Sequence, residues 1–186
     1  MYNNLGDIMY IGICGLQGSG KSTLAKYLLE RHNNYLYIDI DKIGHEVNEL
    51  PIVKDELVNT FGNILTNNKV DRKKLGNIVF NNEEKMNLLE SITWKHMEKR
   101  IDEIIGNNKN VIFDWLLLPK VKYFNECNVK ILLDVPKDIR YNRILNRDNI
   151  SLDYFNKRES SSYIYNYDDF DIILTDNNYE KLLTLL

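Results

Sequence analysis

The sequence predicts an α/β fold with a parallel five-stranded sheet flanked by helices. Short apolar runs typical of buried strands alternate with longer segments of helical periodicity along the 186 residues. A glycine-rich segment, Gly15–Thr23, separates the first apolar run from the first helical pattern. Acidic residues follow the second and third runs. The carboxyl ends of parallel strands are where such sheets bind ligands, so these carboxylates are candidate site residues.

Composition and charge exclude several classes of protein. The net charge of −3 does not indicate nucleic-acid binding. No apolar run approaches the ~18 residues of a membrane span, and Met1–Asp7 lacks the pattern of a signal peptide. Cys14 and Cys127 lack metal-ligand spacing, so we expect small buried residues in a reducing compartment. We therefore predict a cytoplasmic protein, a monomer or weak homo-oligomer, with no nucleic-acid or membrane partner.

The glycine-rich segment matches the phosphate-loop pattern G-x-x-x-x-G-K-[ST] at every fixed position. The apolar run Ile8–Cys14 precedes it and a helical pattern follows, which is the order of a P-loop NTPase-type sheet. Gly15, Gly18 and Gly20 allow positive φ and leave room for phosphate oxygens beside inward-pointing N–H groups. A chance glycine-rich turn is the alternative, but the flanking strand and helix argue against it.

Two polar residues of the loop predict ATP and Mg²⁺ binding. Lys21 can reach the β- and γ-phosphates, and the hydroxyl of Ser22 can ligate the Mg²⁺ that bridges them. The residues that we expect to contact ATP are Gly15, Gly18, Ser19, Gly20, Lys21, Ser22 and Thr23.

The first helix and the second strand follow the loop. Leu24 and Leu28 fall on one side of a helix predicted to end near Arg31–His32. The run Tyr35–Ile38 predicts a strand that leads into two carboxylates, Asp39 and Asp41.

These two carboxylates have different candidate roles. Asp41 can accept a proton from a substrate hydroxyl. Asp39 either helps to hold or orient the metal, or caps the next helix. His45 lies one helical turn after Asp41, on the same face, and is either a substrate contact or an ordinary surface histidine.

The second and third strands are separated by roughly 70 residues of helical character, far more than a simple crossover needs. The helical patterns are Ile52–Phe61, Arg72–Phe80 and Glu83–Ile105. Asp71 and Asn82 are predicted caps, and 62–70 is a connection rich in turn residues. We interpret about 42–106 as an insertion that binds the phosphate acceptor into a core of 8–41 and 107–186; a purely structural helical cap is the alternative.

The third strand, Val111–Phe113, ends in Asp114, a carboxylate that can hold Mg²⁺ directly or through water. The remaining predicted elements are a strand at Val129–Val135, a helix that starts at Pro136, a strand at Asp171–Leu174 and a last helix at Tyr179–Leu186. Thr175–Asn178 would lie near the base of ATP.

Basic residues and a tyrosine-rich stretch predict a lid. Arg140, Arg143 and Arg147 share one helix face by their spacing. Such a row can clamp phosphates, whereas the alternative is a solvated face paired with Asp138 and Asp148. Ser151 is the predicted cap of the next helix, which carries Arg158 and leads into a stretch rich in Ser and Tyr. We interpret about 140–165 as a helical lid, mobile when empty, that closes to exclude water.

Together these motifs resemble the bacterial dephospho-coenzyme A kinase family, over almost everything from Ile8 to about Asn178. Besides the phosphate loop, Asp39–Ile43 resembles the family's D-x-D helix entry. Asp71–Phe80 resembles a run of the form D-R-x-x-L-x-x-x-V-F. Further matches are Arg143 and Arg147–Asp148, which resemble the R-x-x-x-R-D of the lid helix, and Arg158, which resembles a later lid arginine.

The resemblance implies an ATP- and Mg²⁺-dependent kinase that phosphorylates the ribose 3′-hydroxyl of dephospho-coenzyme A, the last step of coenzyme A biosynthesis. Asp41 would be the catalytic base, and Lys21 and Arg143 would stabilise the phosphates. The other implied contacts are Gly18–Thr23 and Arg147 to ATP, Asp39, His45, Arg72 and Arg158 to the acceptor, and Ser22 and Asp114 to the metal.

Three segments depart from the family pattern. Trp94–Lys95 stands in place of His-Pro, and Trp115–Pro119 stands in place of P-L-L-x-E, so the glutamate is missing. Ser162 stands where the family often has glutamine. We expect these changes to affect acceptor contacts more than phosphate chemistry, with Asp114 taking over some of the work of the glutamate.

Two other functions fit parts of the sequence. A nucleoside or nucleotide kinase could share the scaffold, but it would not need Arg72 and the run around it. A GTPase switch is the second alternative, because Asp41–Gly44 fits D-x-x-G and Asn68–Asp71 fits N-K-x-D. In such a switch the N-K-x-D follows a buried central strand, whereas only Ile64–Leu65 precedes it here.

Overall fold

The computed structural model describes residues 8–80, 82–148, 150–160, 162–175, 179 and 182. The strands are β1 (Met9–Gly15), β2 (Leu36–Asp39), β3 (Leu65–Thr66), β4 (Lys69–Val70), β5 (Asn110–Asp114), β6 (Val129–Leu133) and β7 (Ile172–Leu174). The helices are α1 (Lys21–Arg31), α2 (Ile40–Asn48), α3 (Pro51–Phe61), α4 (Arg72–Val79), α5 (Glu83–Ile105), α6 (Lys122–Glu126), α7 (Lys137–Asp148) and α8 (Leu152–Glu159). Short 3₁₀ turns lie at Leu118–Lys120 and Tyr167–Asp169.

Five strands form a parallel sheet in the order β2–β5–β1–β6–β7, which confirms the predicted fold class. The strand before the phosphate loop, β1, is central. Its Ile11, Ile13 and Cys14 are at most 1% exposed, as expected for a parallel sheet that is covered on both faces. Leu24 and Leu28 of α1 belong to the same buried cluster as Ile11 and Ile13, so this helix packs against the sheet.

The register of the sheet aligns the candidate residues of neighbouring strands. Asp39, the last residue of β2, pairs with Asp114, the last residue of β5. Asp114 in turn lies opposite Ile13 of β1, and Gly15 lies opposite Leu133 of β6. The carboxyl ends of four adjacent strands therefore present their polar groups at one edge of the sheet.

The structure divides into two compact units, one comprising residues up to Asp39 and from Asn107 onward, the other Ile40–Gly106. In the second unit, α5 contacts α2, α3 and α4. Gly44 of α2 faces Met97 of α5 so closely that an added Cβ would lie 3.3 Å from the Met97 methyl carbon. The long helix α5 is thus the support on which the other helices of this unit pack.

The sequence did not predict the hairpin formed by β3 and β4, since 62–70 was expected to be an irregular connection. Asn67 and Asn68 form its turn with φ of 51° and 60°, the left-handed values of a two-residue hairpin turn. Strands of two residues are too short to show alternation, so the asparagine doublet was the only signal. The N-K-x-D pattern lies in this hairpin and not after a strand of the parallel sheet, which argues against a GTPase switch.

The three predicted caps are confirmed. Asp71 accepts hydrogen bonds from the N–H groups of Lys73 (3.0 Å) and Lys74 (3.1 Å). Asn82 and Ser151 cap α5 and α8 in the same way. These side chains satisfy N–H groups that have no partner within their own helices, and so they determine where each helix begins.

The remaining differences from prediction are local. The 3₁₀ turn at Leu118–Lys120 and helix α6 were not predicted, because each is shorter than two helical turns and shows no clear period. Strand β6 ends at Leu133 instead of Val135. The segment Thr175–Asn178, apart from Thr175, and the predicted last helix, apart from Tyr179 and Leu182, lie outside the described residues.

Cys14 and Cys127 are both buried and neither forms a disulfide. Within the described ranges, no helix is both long enough and apolar enough to cross a membrane.

We expect the Asp71 cap to contribute to the thermal stability of the protein. Asp71→Ala should lower Tm by about 2–6 °C, because the first turn of α4 loses its acceptor. Hydrogen bonds from Thr66 and from the backbone of Lys74 lower the pKa of Asp71. Its contribution should therefore be full at neutral pH and fall as pH drops through that lowered pKa.

Thermal unfolding of wild type and Asp71→Ala at several pH values measures this effect. Asp71→Asn is the matched control, since its amide oxygen can still cap the helix without the charge. A difference in Tm between wild type and Asp71→Ala that stays constant down to strongly acidic pH would contradict the role of the charged carboxylate.

Candidate active site

The phosphate loop requires glycine for two physical reasons. Gly15, Gly18 and Gly20 have φ of 149°, 81° and 99°. An added Cβ at Gly15 would lie 2.5 Å from Ser19 Oγ, and one at Gly18 would lie 2.7 Å from the Arg140 carbonyl oxygen. From the sequence, we expected these glycines to leave room for the oxygen atoms of a bound phosphate. In the structure, the space beside Gly15 and Gly18 is already filled by the protein itself.

Ser19 is buried beneath this turn. Its side chain is fully buried, and among the described residues its Oγ has no hydrogen-bond partner. Helix α1 begins at Lys21 with Gly20 as its N-cap and has no acidic residue in its first turn. The positive end of the helix dipole is therefore not offset by a carboxylate on that turn, which suits an anion.

Lys21 lies against the loop that it follows. Its Nζ donates a hydrogen bond to the Gly15 carbonyl oxygen at 3.1 Å. The ammonium group is thus held at the end of β1, where it can exchange a weak backbone contact for a phosphate.

Asp114 is the buried carboxylate of the site, with 4% of its surface exposed. Its Oδ2 accepts hydrogen bonds from Ser22 Oγ at 2.8 Å and from the Tyr37 hydroxyl at 2.9 Å. Burial raises the pKa of Asp114, while the Lys21 charge and these two hydrogen bonds oppose the rise. The pair predicted as metal ligands, Ser22 and Asp114, is therefore in direct contact.

A role for Tyr37 was not predicted from the sequence, in which this residue is only part of the apolar strand Tyr35–Ile38. The available signal was its position two residues before Asp39, because alternate residues of a strand lie on one face. Burial, with the nearby Asp114 carboxylate, raises the pKa of Tyr37, so the hydroxyl stays a donor.

The oxygen atoms at this point fit Mg²⁺. Mg²⁺ prefers oxygen ligands and keeps several waters, with one or two protein groups and the phosphates of the substrate completing its shell. Ser22 Oγ and the Asp114 carboxylate are oxygen donors that already lie within hydrogen-bond distance of each other. The residues present are thus those that such an ion needs.

The three arginines of α7 make three different contacts. Arg143 NH1 donates to the carbonyl oxygens of Gly18 and Ser19, both at 3.1 Å. Arg147 is exposed and pairs with Asp148 through hydrogen bonds of 2.7 and 2.6 Å. Of the predicted row, Arg143 therefore lies on the phosphate loop, whereas Arg147 makes the surface pair that the alternative interpretation expected.

Arg140 corrects the prediction of a common clamp. It is 4% exposed and forms a bidentate ion pair with Glu159 of α8, at 2.8 and 2.6 Å. Its Nε donates to the Val135 carbonyl oxygen and NH1 donates to that of Gln17. With its donors engaged in this way, Arg140 connects α8 to the phosphate loop and does not share the position of Arg143 on that loop. Sequence spacing alone could not show the partner on the next helix.

Arg158 also lies on α8. Its guanidinium carbon is 5.9 Å from the centre of the Tyr154 ring.

Three predicted site residues, Asp41, His45 and Arg72, belong to the second unit. Asp41 lies in the first turn of α2, and its side chain is 75% exposed. His45 Nε2 lies 3.9 Å from Asp41 Oδ2, which confirms that the two share a helix face. Arg72 is the exposed first residue of α4, next to the cap Asp71.

Tyr165 is a further contact that the sequence analysis did not identify. Its hydroxyl accepts a hydrogen bond from the Gly15 N–H at 3.0 Å and donates one to the Leu116 carbonyl oxygen at 2.8 Å. The prediction treated this stretch as a lid that is mobile when empty. In the structure, the Tyr165 hydroxyl is hydrogen-bonded to Gly15, the first residue of the phosphate loop.

Comparison of the structure with solved structures supports the fold. A crystal structure of TT1252 from Thermus thermophilus superposes with a TM-score of 0.79 over 97% of this chain and 98% of that one, at 22% identity. This likeness concerns the fold alone. A dephospho-CoA kinase from Campylobacter jejuni superposes with a TM-score of 0.58 over 95% of this chain and 92% of that chain, at 25% identity.

Sequence comparison identifies the family. The profile of the dephospho-CoA kinase family matches residues 9–165. A dephospho-CoA kinase of Fusobacterium nucleatum is 36% identical over 155 residues, which cover 78% of this chain and 76% of that protein. The region matched by the profile contains the phosphate loop, Asp114 and the arginines of α7. This chain therefore belongs to the dephospho-CoA kinase family and is an ATP-dependent kinase.

Proposed function

We propose that this chain transfers the γ-phosphoryl group of ATP to the ribose 3′-hydroxyl of dephospho-coenzyme A and so completes coenzyme A. The observation that carries the proposal is the family match over residues 9–165. The phosphate loop supports it, because its glycines have the positive φ that the loop requires, Lys21 contacts the Gly15 carbonyl oxygen and Ser22 contacts Asp114.

The phosphates of ATP would bind at the N-terminus of α1, within reach of Lys21. Lys21 would exchange its contact with the Gly15 carbonyl for the β- and γ-phosphates. Ser22 and Asp114 would hold Mg²⁺, whose charge offsets the negative charge of the phosphate oxygens. Arg143, which already lies on the loop, would add a second positively charged side chain to the phosphate site, and Arg147 would contact ATP.

Asp41 would accept the proton of the acceptor hydroxyl. Its carboxylate is exposed on the first turn of α2, and His45 Nε2 lies 3.9 Å from its Oδ2, near enough to orient it. His45, Asp39, Arg72 and Arg158 would contact the acceptor, with 42–106 as the acceptor-binding region and about 140–165 as the lid. A cytoplasmic enzyme that is a monomer or weak homo-oligomer remains our prediction.

The acceptor assay tests the function directly. Incubation with Mg·ATP and dephospho-coenzyme A should give ADP and a product heavier by one phosphate, detected by mass spectrometry. A panel of nucleosides and nucleotides, and GTP without an acceptor, are the controls. Turnover of another acceptor, or of GTP alone, in place of dephospho-coenzyme A would overturn the proposed substrate.

Replacing the proposed base should separate binding from chemistry. Asp41→Asn should lower kcat by about 10²-fold or more, since an acid–base group is lost, and should leave the Kd for ATP nearly unchanged. Glu46→Gln, which neutralises another exposed carboxylate on α2, is the matched control and should keep wild-type kcat. An Asp41→Asn enzyme with wild-type kcat would remove Asp41 from this role.

Ser22→Ala tests the proposed metal contact. Without Oγ, the Mg²⁺ concentration that gives half the maximal rate should rise about 10-fold or more. ADP binding in EDTA should stay within about twofold of wild type, because the backbone cradle does not depend on this hydroxyl. If the Mg²⁺ requirement is unchanged, Ser22 is not a ligand of the ion.

A further inference from the structure

Gly15, the last residue of β1, lies where β1 and its neighbour β5 diverge. Ile13 accepts a hydrogen bond from the Trp115 N–H at 3.2 Å, so the polar backbone groups of Ile13 face β5. Alternate residues of a parallel strand direct these groups to the same side, so those of Gly15 face that way too. The last residue of β5, Asp114, is paired with Ile13. The N–H and C=O of Gly15 therefore point toward the β5 side of β1, but they lie beyond Asp114, the last residue of β5.

Two side chains replace the missing strand. The Tyr165 hydroxyl accepts from the Gly15 N–H at 3.0 Å, and Lys21 Nζ donates to the Gly15 carbonyl oxygen at 3.1 Å. The same hydroxyl donates to the carbonyl oxygen of Leu116, two residues after the end of β5, at 2.8 Å. Because a hydroxyl is both a donor and an acceptor, Tyr165 joins the two diverging chains at one point.

The position of this hydroxyl is set by the packing of its ring. The Tyr165 ring lies edge-to-face against Tyr163, with centroids 5.1 Å apart, and against Phe170, with centroids 5.7 Å apart. Phe170 in turn packs on Phe124 of α6. The aromatic chain thus connects the hydroxyl to the body of the first unit.

We propose that Tyr165 is a positioning residue for nucleotide binding. By fixing the backbone of Gly15, it fixes the carbonyl oxygen that holds Lys21, and so determines where the ammonium group stands when phosphates enter the loop. Tyr165 itself acts through Gly15 and Lys21. The inference rests on the proposed function only in that the phosphates of the nucleotide bind this loop.

Calorimetric titration with Mg·ADP tests the inference without the acceptor. Tyr165→Phe keeps the ring and removes the hydroxyl. It should raise the Kd for ADP about 3- to 10-fold, the range expected for losing a hydrogen bond that orders the site. Amide hydrogen exchange at Gly15 should become faster in the same variant, because the N–H loses its acceptor.

Tyr167→Phe is the matched control. It removes a second tyrosine hydroxyl from the same segment, one that donates to Asp134 Oδ2 at 2.6 Å on the exposed surface. Its Kd for ADP and its Gly15 exchange rate should equal those of wild type. Thermal unfolding of both variants separates a loss of stability from a loss of positioning.

The outcomes are distinct. A Tyr165→Phe protein with wild-type Kd for ADP would overturn the inference, and a lower Tm with unchanged Kd would show that the hydroxyl serves stability alone. An equal loss of affinity in Tyr167→Phe would overturn it as well. Wild-type protein that binds no Mg·ADP would instead refute the proposed function, and the inference with it.

Discussion

The site depends on the absence of side chains at Gly15 and Gly18. Gly15 lies so close to Ser19 and Leu133, and Gly18 so close to the backbone of α7, that a single added carbon at either glycine would overlap protein atoms. Positive φ adds a second constraint at the same positions. This close fit places the N-terminus of α1 at the edge of the sheet, and Lys21 and Ser22 follow from it.

The second constraint is the burial of Asp114. A carboxylate with 4% exposure is costly to ionise, and the pKa is raised accordingly. The protein offsets this cost with two hydroxyl donors, from Ser22 and Tyr37, and with the charge of Lys21. Replacing one of these donors by a metal ion would keep the charge compensated. A buried carboxylate whose pKa is shifted by desolvation and by a specific charge partner is a candidate functional residue.

The same principle explains the arginines of α7. Arg140 is buried, and a buried guanidinium needs a partner, which Glu159 supplies from α8 in bidentate geometry. Arg140 also reaches Gln17, and Arg143 reaches Gly18 and Ser19. The helix pair α7 and α8 is thereby attached to the phosphate loop through guanidinium groups.

Sequence by itself determined the parallel sheet, the phosphate loop, the caps Asp71, Asn82 and Ser151, and the family. These depend on local patterns: strand-length apolar runs, a motif with fixed spacing and single capping residues. The contact between Ser22 and Asp114 could also be anticipated, because both follow strands whose carboxyl ends meet at one edge.

Only the tertiary structure decided which partners the polar side chains have. Glu159 for Arg140, Tyr37 for Asp114 and Tyr165 for Gly15 come from other elements, up to 150 residues away along the chain. A periodic pattern indicates which face of a helix or strand a residue lies on. It does not indicate which side chain of another element contacts that residue when the two elements pack together. The two-residue strands β3 and β4 were missed for a related reason, since they depend on pairing with each other and show no period of their own.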